Sequence, residues 1–121
     1  MSGRRQLAVV PKRRTASAEE RREQLILATI RAVADHGLAD TTIATVAQAA
    51  GLSQGIVNLH FRSKDGLLTE TLRYLADEYR NACEAAAAVG AVDPVAGLKA
   101  MVELDFRRTI CSRDKLAVWF A

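Results

Sequence analysis

Cysteine, histidine, proline and aromatic residues are all scarce in this chain of 121 residues, and each scarcity removes a class of chemistry. The two cysteines, Cys83 and Cys111, stand far apart with no second Cys or His at metal-ligand spacing. Neither a metal site nor a redox pair is encoded, and no cofactor is implied. The two histidines, His36 and His60, have no spaced acidic pair beside them, and there is no glycine-rich phosphate loop. No catalytic set can be assembled, so the chain does not read as an enzyme. The apolar run Leu7–Val10 is far too short for a signal-peptide core or a membrane span, which points to the cytoplasm and away from membranes.

With two prolines, abundant alanine and no sustained alternation of apolar and polar residues, the expected class is all-α. Net charge is only +3 but lopsided: residues 1–64 carry ten Lys/Arg against five Asp/Glu, and residues 65–121 carry seven against nine. One half is therefore basic, the electrostatic footprint of a nucleic-acid contact.

The basic half contains the stretch Thr42–Phe61. Ile43, Val46, Ala47 and Ala50 recur at i, i+3, i+4 and i+7, one apolar stripe of a short helix. Gly51 supplies the left-handed residue that ends it, and Ser53 is placed to cap a second helix over 54–61. Helix, glycine turn, serine cap and helix make a helix-turn-helix, whose second helix lies in the major groove of double-stranded DNA. Ile56 or Val57 and Phe61 serve the core, leaving Gln54, Gly55, Asn58, Leu59 and His60 for the DNA side. Lys64, following Ser63 at the start of the next helix, pairs free amides with an ammonium and suits a phosphate.

Around this motif, Ser17 and Glu20 form a capping box that opens a first helix, with Leu25, Ile26, Ile30 and Val33 inward and Gly37 at its end. From Lys64 a helix runs to about residue 88, with Leu67, Leu68, Leu72, Leu75 and Tyr79 along one face and Gly90 as its stop. Asp93-Pro94 restarts the chain as cap and first helical residue. The next helix, over about 94–109, is expected to bury Val95, Leu98, Met101, Val102 and Phe106. A last helix follows Ser112 and carries Leu116, Val118, Trp119 and Phe120 to the final residue without a terminator, so the chain reads as incomplete there.

The run Arg22–Leu72 resembles the N-terminal domain of TetR-type repressors, in particular the BetI-like, choline-responsive subgroup. The resemblance rests on Arg22-Glu-Gln-Leu-Ile, Ala34, Gly37, Thr42-Ile43, Val46-Ala47, Ala50-Gly51, Ser53, Gly55-Ile56, Phe61, Lys64 and Gly66-Leu67-Leu68. Leu116–Ala121 adds a weaker match to the aromatic helix of that subgroup's ligand domain. The chain departs from the family where Asn58 stands in place of a tyrosine and where Leu59 and His60 lack a further aromatic. The resemblance implies a basic flexible arm over 1–16 and a helix-turn-helix DNA-binding domain over 17–63. Residues 64–121 would be a connecting helix and the start of a ligand-binding and dimerisation domain. It also implies a ligand-responsive repressor that binds a near-palindromic operator as a homodimer, through Thr42, Ser53, Gln54, Gly55, Asn58, Leu59, His60 and Lys64. Tyr74, Tyr79, Phe106, Trp119 and Phe120 are the candidates to hold an effector such as choline or a related quaternary ammonium compound, because aromatic faces attract such cations. The competing reading is a helical protein-interaction adaptor that does not bind DNA.

Overall fold

Ser17 begins the part of the chain described by the computed structural model, residues 17–121; the basic arm expected over 1–16 lies outside the described residues. Its hydroxyl accepts the Glu20 N–H at 3.1 Å while the Glu20 carboxylate accepts the Ser17 N–H at 2.8 Å. With two orphan donors satisfied in this way, α1 runs over Ala18–His36 and ends at Gly37, where φ is +80°. Its inward face is Leu25, Ile26, Ala28, Ile30, Ala32 and Val33.

Helix α2, Ile43–Ala50, starts with a second reciprocal box, in which Thr45 takes the place usually held by Glu and exchanges bonds with Thr42 at 2.8 and 3.1 Å. Gly51 closes α2 at φ +67° and ψ +31°, and the Leu52 N–H reaches back to the Ala47 carbonyl at 2.9 Å. A β-carbon is strained in that conformation, so glycine is the residue that fits. Ser53 then caps α3, Gln54–His60, and Ser63 caps α4, Lys64–Val92, whose 29 residues span about 44 Å. Two further helices complete the described residues: α5, Pro94–Leu104, begun by the Asp93 cap, and α6, Arg113–Trp119, begun by the Ser112 cap.

The apolar core lies where α1 crosses α2 and the first half of α4 and where α3 packs on α2, with Leu25, Val46, Val57, Phe61, Leu67 and Leu75 buried together. Val118 of α6 joins this same core, because α6 lies against α1 as well as α4. Three threonines are buried inside it or at its edge, and each hydroxyl donates to the carbonyl four residues earlier: Thr29 to Leu25, Thr41 to Gly37 and Thr71 to Leu67, at 2.7–2.8 Å. Burial therefore leaves none of these hydroxyls without a partner.

The second half of the chain corrects three expectations. Gly90 does not stop α4, which continues to Val92; Gly90 instead sits where α5 crosses at close range, opposite Gly97. A β-carbon added at Gly97 would run into the Gly90 backbone, 2.7 Å from its nitrogen. Helix α5 ends at Leu104 rather than near 109, because the following amides of Phe106 and Arg107 bond three residues back and wind the chain into turns. The face expected to be buried is outward, with Val95, Leu98, Met101, Val102 and Phe106 exposed and only Gly97 and Leu104 fully covered. The apolar residues of α5 lie on more than one side of the helix, and the side that lets two backbones meet is the one that packs on α4.

Candidate nucleic-acid interface

Val57 fixes the orientation of α3. It is fully buried in the core, with Phe61 below it, so the opposite side of this seven-residue helix faces outward. Gln54, Gly55, Asn58 and Leu59 are all exposed, Gly55 and Leu59 opposite Val57 with Gln54 and Asn58 along one flank, and His60 is half-buried. The structure thus leaves the side chains expected on the DNA side outside the core, His60 only in part. Thr42 and Ser53 are also exposed, yet each already serves as a cap: Ser53 Oγ accepts the Ile56 N–H at 3.3 Å, and Thr42 Oγ1 accepts the Thr45 N–H. Each hydroxyl keeps its own O–H as a donor.

Lys64 is only partly available. Its Nζ donates to the carbonyl oxygens of Leu38 at 3.0 Å and Ala39 at 3.4 Å, tying the start of α4 to the α1–α2 connection. A lysine has three donors, so one is left for an anion. The residue thus positions the first two helices relative to the long one, a use that spacing alone did not indicate.

Several side chains that the motif passed over complete the frame. Gln24 of α1 donates to the Ala50 carbonyl at the end of α2, 2.9 Å away, which holds the turn before α3. Arg22 pairs with Glu70 of α4 and lies over the Phe61 ring, 5.6 Å from its centroid. Glu70 also takes Arg73 at 3.0 Å. Arg22, His60, Phe61, Arg62, Gly66, Thr69 and Glu70 line a shallow cleft of about 430 Å³ beside α3. Arg62 is exposed there and is a cation poised for a phosphate; its only sequence signal was its share in the basic half.

The aromatic residues expected to share an effector site divide. Trp119 and Phe120 line a cavity of about 310 Å³ with Tyr79, Ile110, Cys111 and Leu116. Tyr74 is not among its walls: it packs against the core, where burial first and Glu23 second raise the pKa of its phenol, and its O–H points to Glu23 at 3.3 Å. Phe106 also stays out, 82% exposed, because the chain leaves the helix at Leu104. Tyr79, from the long helix, lines the cavity. Its O–H donates to Asp105 at 3.1 Å, and this bond, ahead of the carboxylate's charge, pushes its pKa up to about 12. Among the described residues no group of three or more His, Cys, Asp or Glu is placed to hold a metal ion. Nor is any helix among them long and apolar enough to cross a membrane.

Known proteins resemble this chain both in sequence and in fold. Residues 25–71 match the family described as bacterial regulatory proteins, tetR family. The HTH-type transcriptional regulator BetI of Burkholderia cenocepacia (strain HI2424) is 40% identical over 103 residues, which cover 85% of this chain and 53% of that protein. BetI 1 of Chromohalobacter salexigens is 37% identical over 101 residues, covering 84% of this chain and 50% of the relative. This chain therefore spans about half the length of the curated relatives it matches. Among solved structures, the fatty acid degradation regulator FadR from Bacillus halodurans superposes with a TM-score of 0.68 at 19% identity, over 88% of this chain and 55% of that one. At that identity the likeness speaks for the fold alone.

Proposed function

We propose that the protein is a sequence-specific DNA-binding transcriptional regulator, a ligand-responsive repressor acting as a dimer, a reading supported by the match of residues 25–71 to the tetR family and by the similarity to BetI. The observation that carries this reading is the outward face of α3. A fully buried Val57 anchors the helix while Gln54, Gly55, Asn58 and Leu59 stand free of the core. Gln54 and Asn58 are suited to bidentate bonds with adenine; Arg62, Ser53, Thr42 and the remaining Lys64 donor are suited to phosphates. Two heads, one per protomer, would enter successive major grooves of a near-palindromic operator, about 34–36 Å apart. Such a regulator works in the cytoplasm and consumes no substrate.

For the effector, the cavity walled by Tyr79, Trp119 and Phe120 supports a quaternary ammonium compound, with choline the first to test. The cavity adjoins the same long helix whose first residue is tied to the α1–α2 connection, so a shift of α4 would reach α2 and α3.

The test is fluorescence-anisotropy binding to DNA from upstream of the coding sequence, across a salt series, with and without choline. Binding should weaken steeply with salt, by a slope of about −0.9 per phosphate contacted. Gln54→Ala should cost about 1–3 kcal/mol if it reads a base. Binding that ignores both salt and the Gln54→Ala change would overturn the reading and favour a helical adaptor. Binding unchanged by choline would remove the effector assignment only.

A further inference from the structure

Two residues of α3 cost the fold something and return nothing to it. Leu59 is 80% exposed, although its side chain is among the most apolar available. Gly55 stands in the first turn of the helix without a positive φ, where glycine is worse than alanine by up to about 1 kcal/mol, the helix-interior value. Space does not require it either, since a β-carbon there would meet only Ser53 Oγ at 3.8 Å. Neither a left-handed turn nor a packed neighbour in the chain accounts for the glycine.

Their placement does. At about 100° per residue, Gly55 and Leu59 both fall within about 20° of the direction opposite Val57, one above the other along the outermost line of the helix. Glycine on that line lets the backbone approach a surface closely, and leucine one turn later offers methyl groups to it. The four-residue step is about 6 Å, close to two base steps of 3.4 Å. Gln54 and Asn58 both lie to one side of the line, about 80–120° from it, so an apolar contact is set beside two amide groups.

We propose that Leu59 is a specificity-determining residue that reads the 5-methyl group of thymine in the major groove, with Gly55 admitting the helix to that depth. This rests on the DNA-binding reading above. Thymine is the base whose major-groove edge carries a methyl group, and apolar side chains discriminate it by contact.

The experiment begins with a duplex selected from a random-sequence pool for binding to the wild-type chain, in which each thymine is then replaced singly by uracil. One or two positions per half-site should lose about fourfold in affinity, the transfer value of a single methyl group. In Leu59→Ala the same replacements should cost nothing, while the helical circular dichroism and melting temperature stay unchanged. Binding that tolerates uracil everywhere overturns the assignment and leaves the DNA-binding function intact. Uracil sensitivity that persists undiminished in Leu59→Ala overturns it too, by placing the methyl contact on another residue. A pool that yields no bound duplex overturns the underlying function and this inference with it.

Discussion

The head formed by α1–α3 and the hairpin formed by α4 and α5 are both helical, yet they are held together in opposite ways. In the head, large side chains interdigitate: Leu25, Val46 and Val57 have no exposed surface. In the hairpin, the covered residues at the crossing are small, Ala86 and Gly97, with Leu104 as the one large group fully enclosed, and leucine, valine and phenylalanine point away. Large interlocking groups resist displacement because removing one leaves a cavity; a small-residue seam holds by backbone proximity and has no room for additions. The difference suits the two halves. The head must hold Gln54 and Asn58 in one geometry, whereas the seam fixes how far apart two long backbones sit.

The largest effect expected from this contrast is at the centre of the head. Leu25→Ala should lower the unfolding free energy by about 2–5 kcal/mol, measured by urea denaturation, with a matching fall in melting temperature. A loss below 1 kcal/mol would mean that the head refills the space, which is inconsistent with close packing.

The seam is sharpened by placing one substitution at two glycines. Alanine is ordinarily the better helix residue by about 1 kcal/mol, so Gly55→Ala, with open space around it, should be neutral or stabilising by up to that amount. Gly97→Ala drives a carbon into the Gly90 backbone and should destabilise by about 1–3 kcal/mol. Opposite signs for the same chemical change, read from thermal melts, would establish that the hairpin depends on contact between backbones. Equal signs would remove the seam from the account.

What could be read from the sequence follows the same division. The head was legible because its signals are local: Ser17 with Glu20, Gly51 and Ser53 each act within a few residues, and the structure places all of them as caps or a left-handed turn. The periodicity of Leu25, Ile26, Ile30 and Val33 also had one clear inward side. The outward set Gln54, Gly55, Asn58 and Leu59 followed from Ile56 or Val57 being inward, and the structure buries Val57. The hairpin was not legible, because Val95, Leu98, Met101, Val102 and Phe106 read as a buried stripe until Gly97 is known to meet Gly90. That meeting is a tertiary fact between residues on different helices. The tie from Lys64 to the Leu38 and Ala39 carbonyls escaped for the same reason, as did the absence of Tyr74 and Phe106 from the walls of the cavity.

A smaller effect concerns the polar tie across the hairpin. The bond to Asp105 favours the neutral phenol of Tyr79 in the folded chain, so the folded pKa, about 12, lies above the ordinary value of 10. Stability from this tie is complete below pH 10 and is lost as the pH rises through about 12. In a Tyr74→Phe background, ultraviolet titration of the remaining phenol should show Asp105→Asn lowering the midpoint toward 10. An unmoved midpoint would show that the tie does not form in solution.

The smallest effect should come from Leu98→Ala, the same truncation as Leu25→Ala on the other side of the comparison. Leu98 is 69% exposed, so little of its side chain leaves water on folding, and the change should stay within about 0.5 kcal/mol. Alanine's helix propensity is slightly better, which offsets part of even that loss. The pair therefore measures the contrast directly, because the residue type, the atoms removed and the helical setting are shared and only the surroundings differ. A loss at Leu98 approaching that at Leu25 would mean that the outward face of α5 is covered in solution. A rise in melting temperature with protein concentration, lost in Leu98→Ala, would identify the cover as a second copy of the chain.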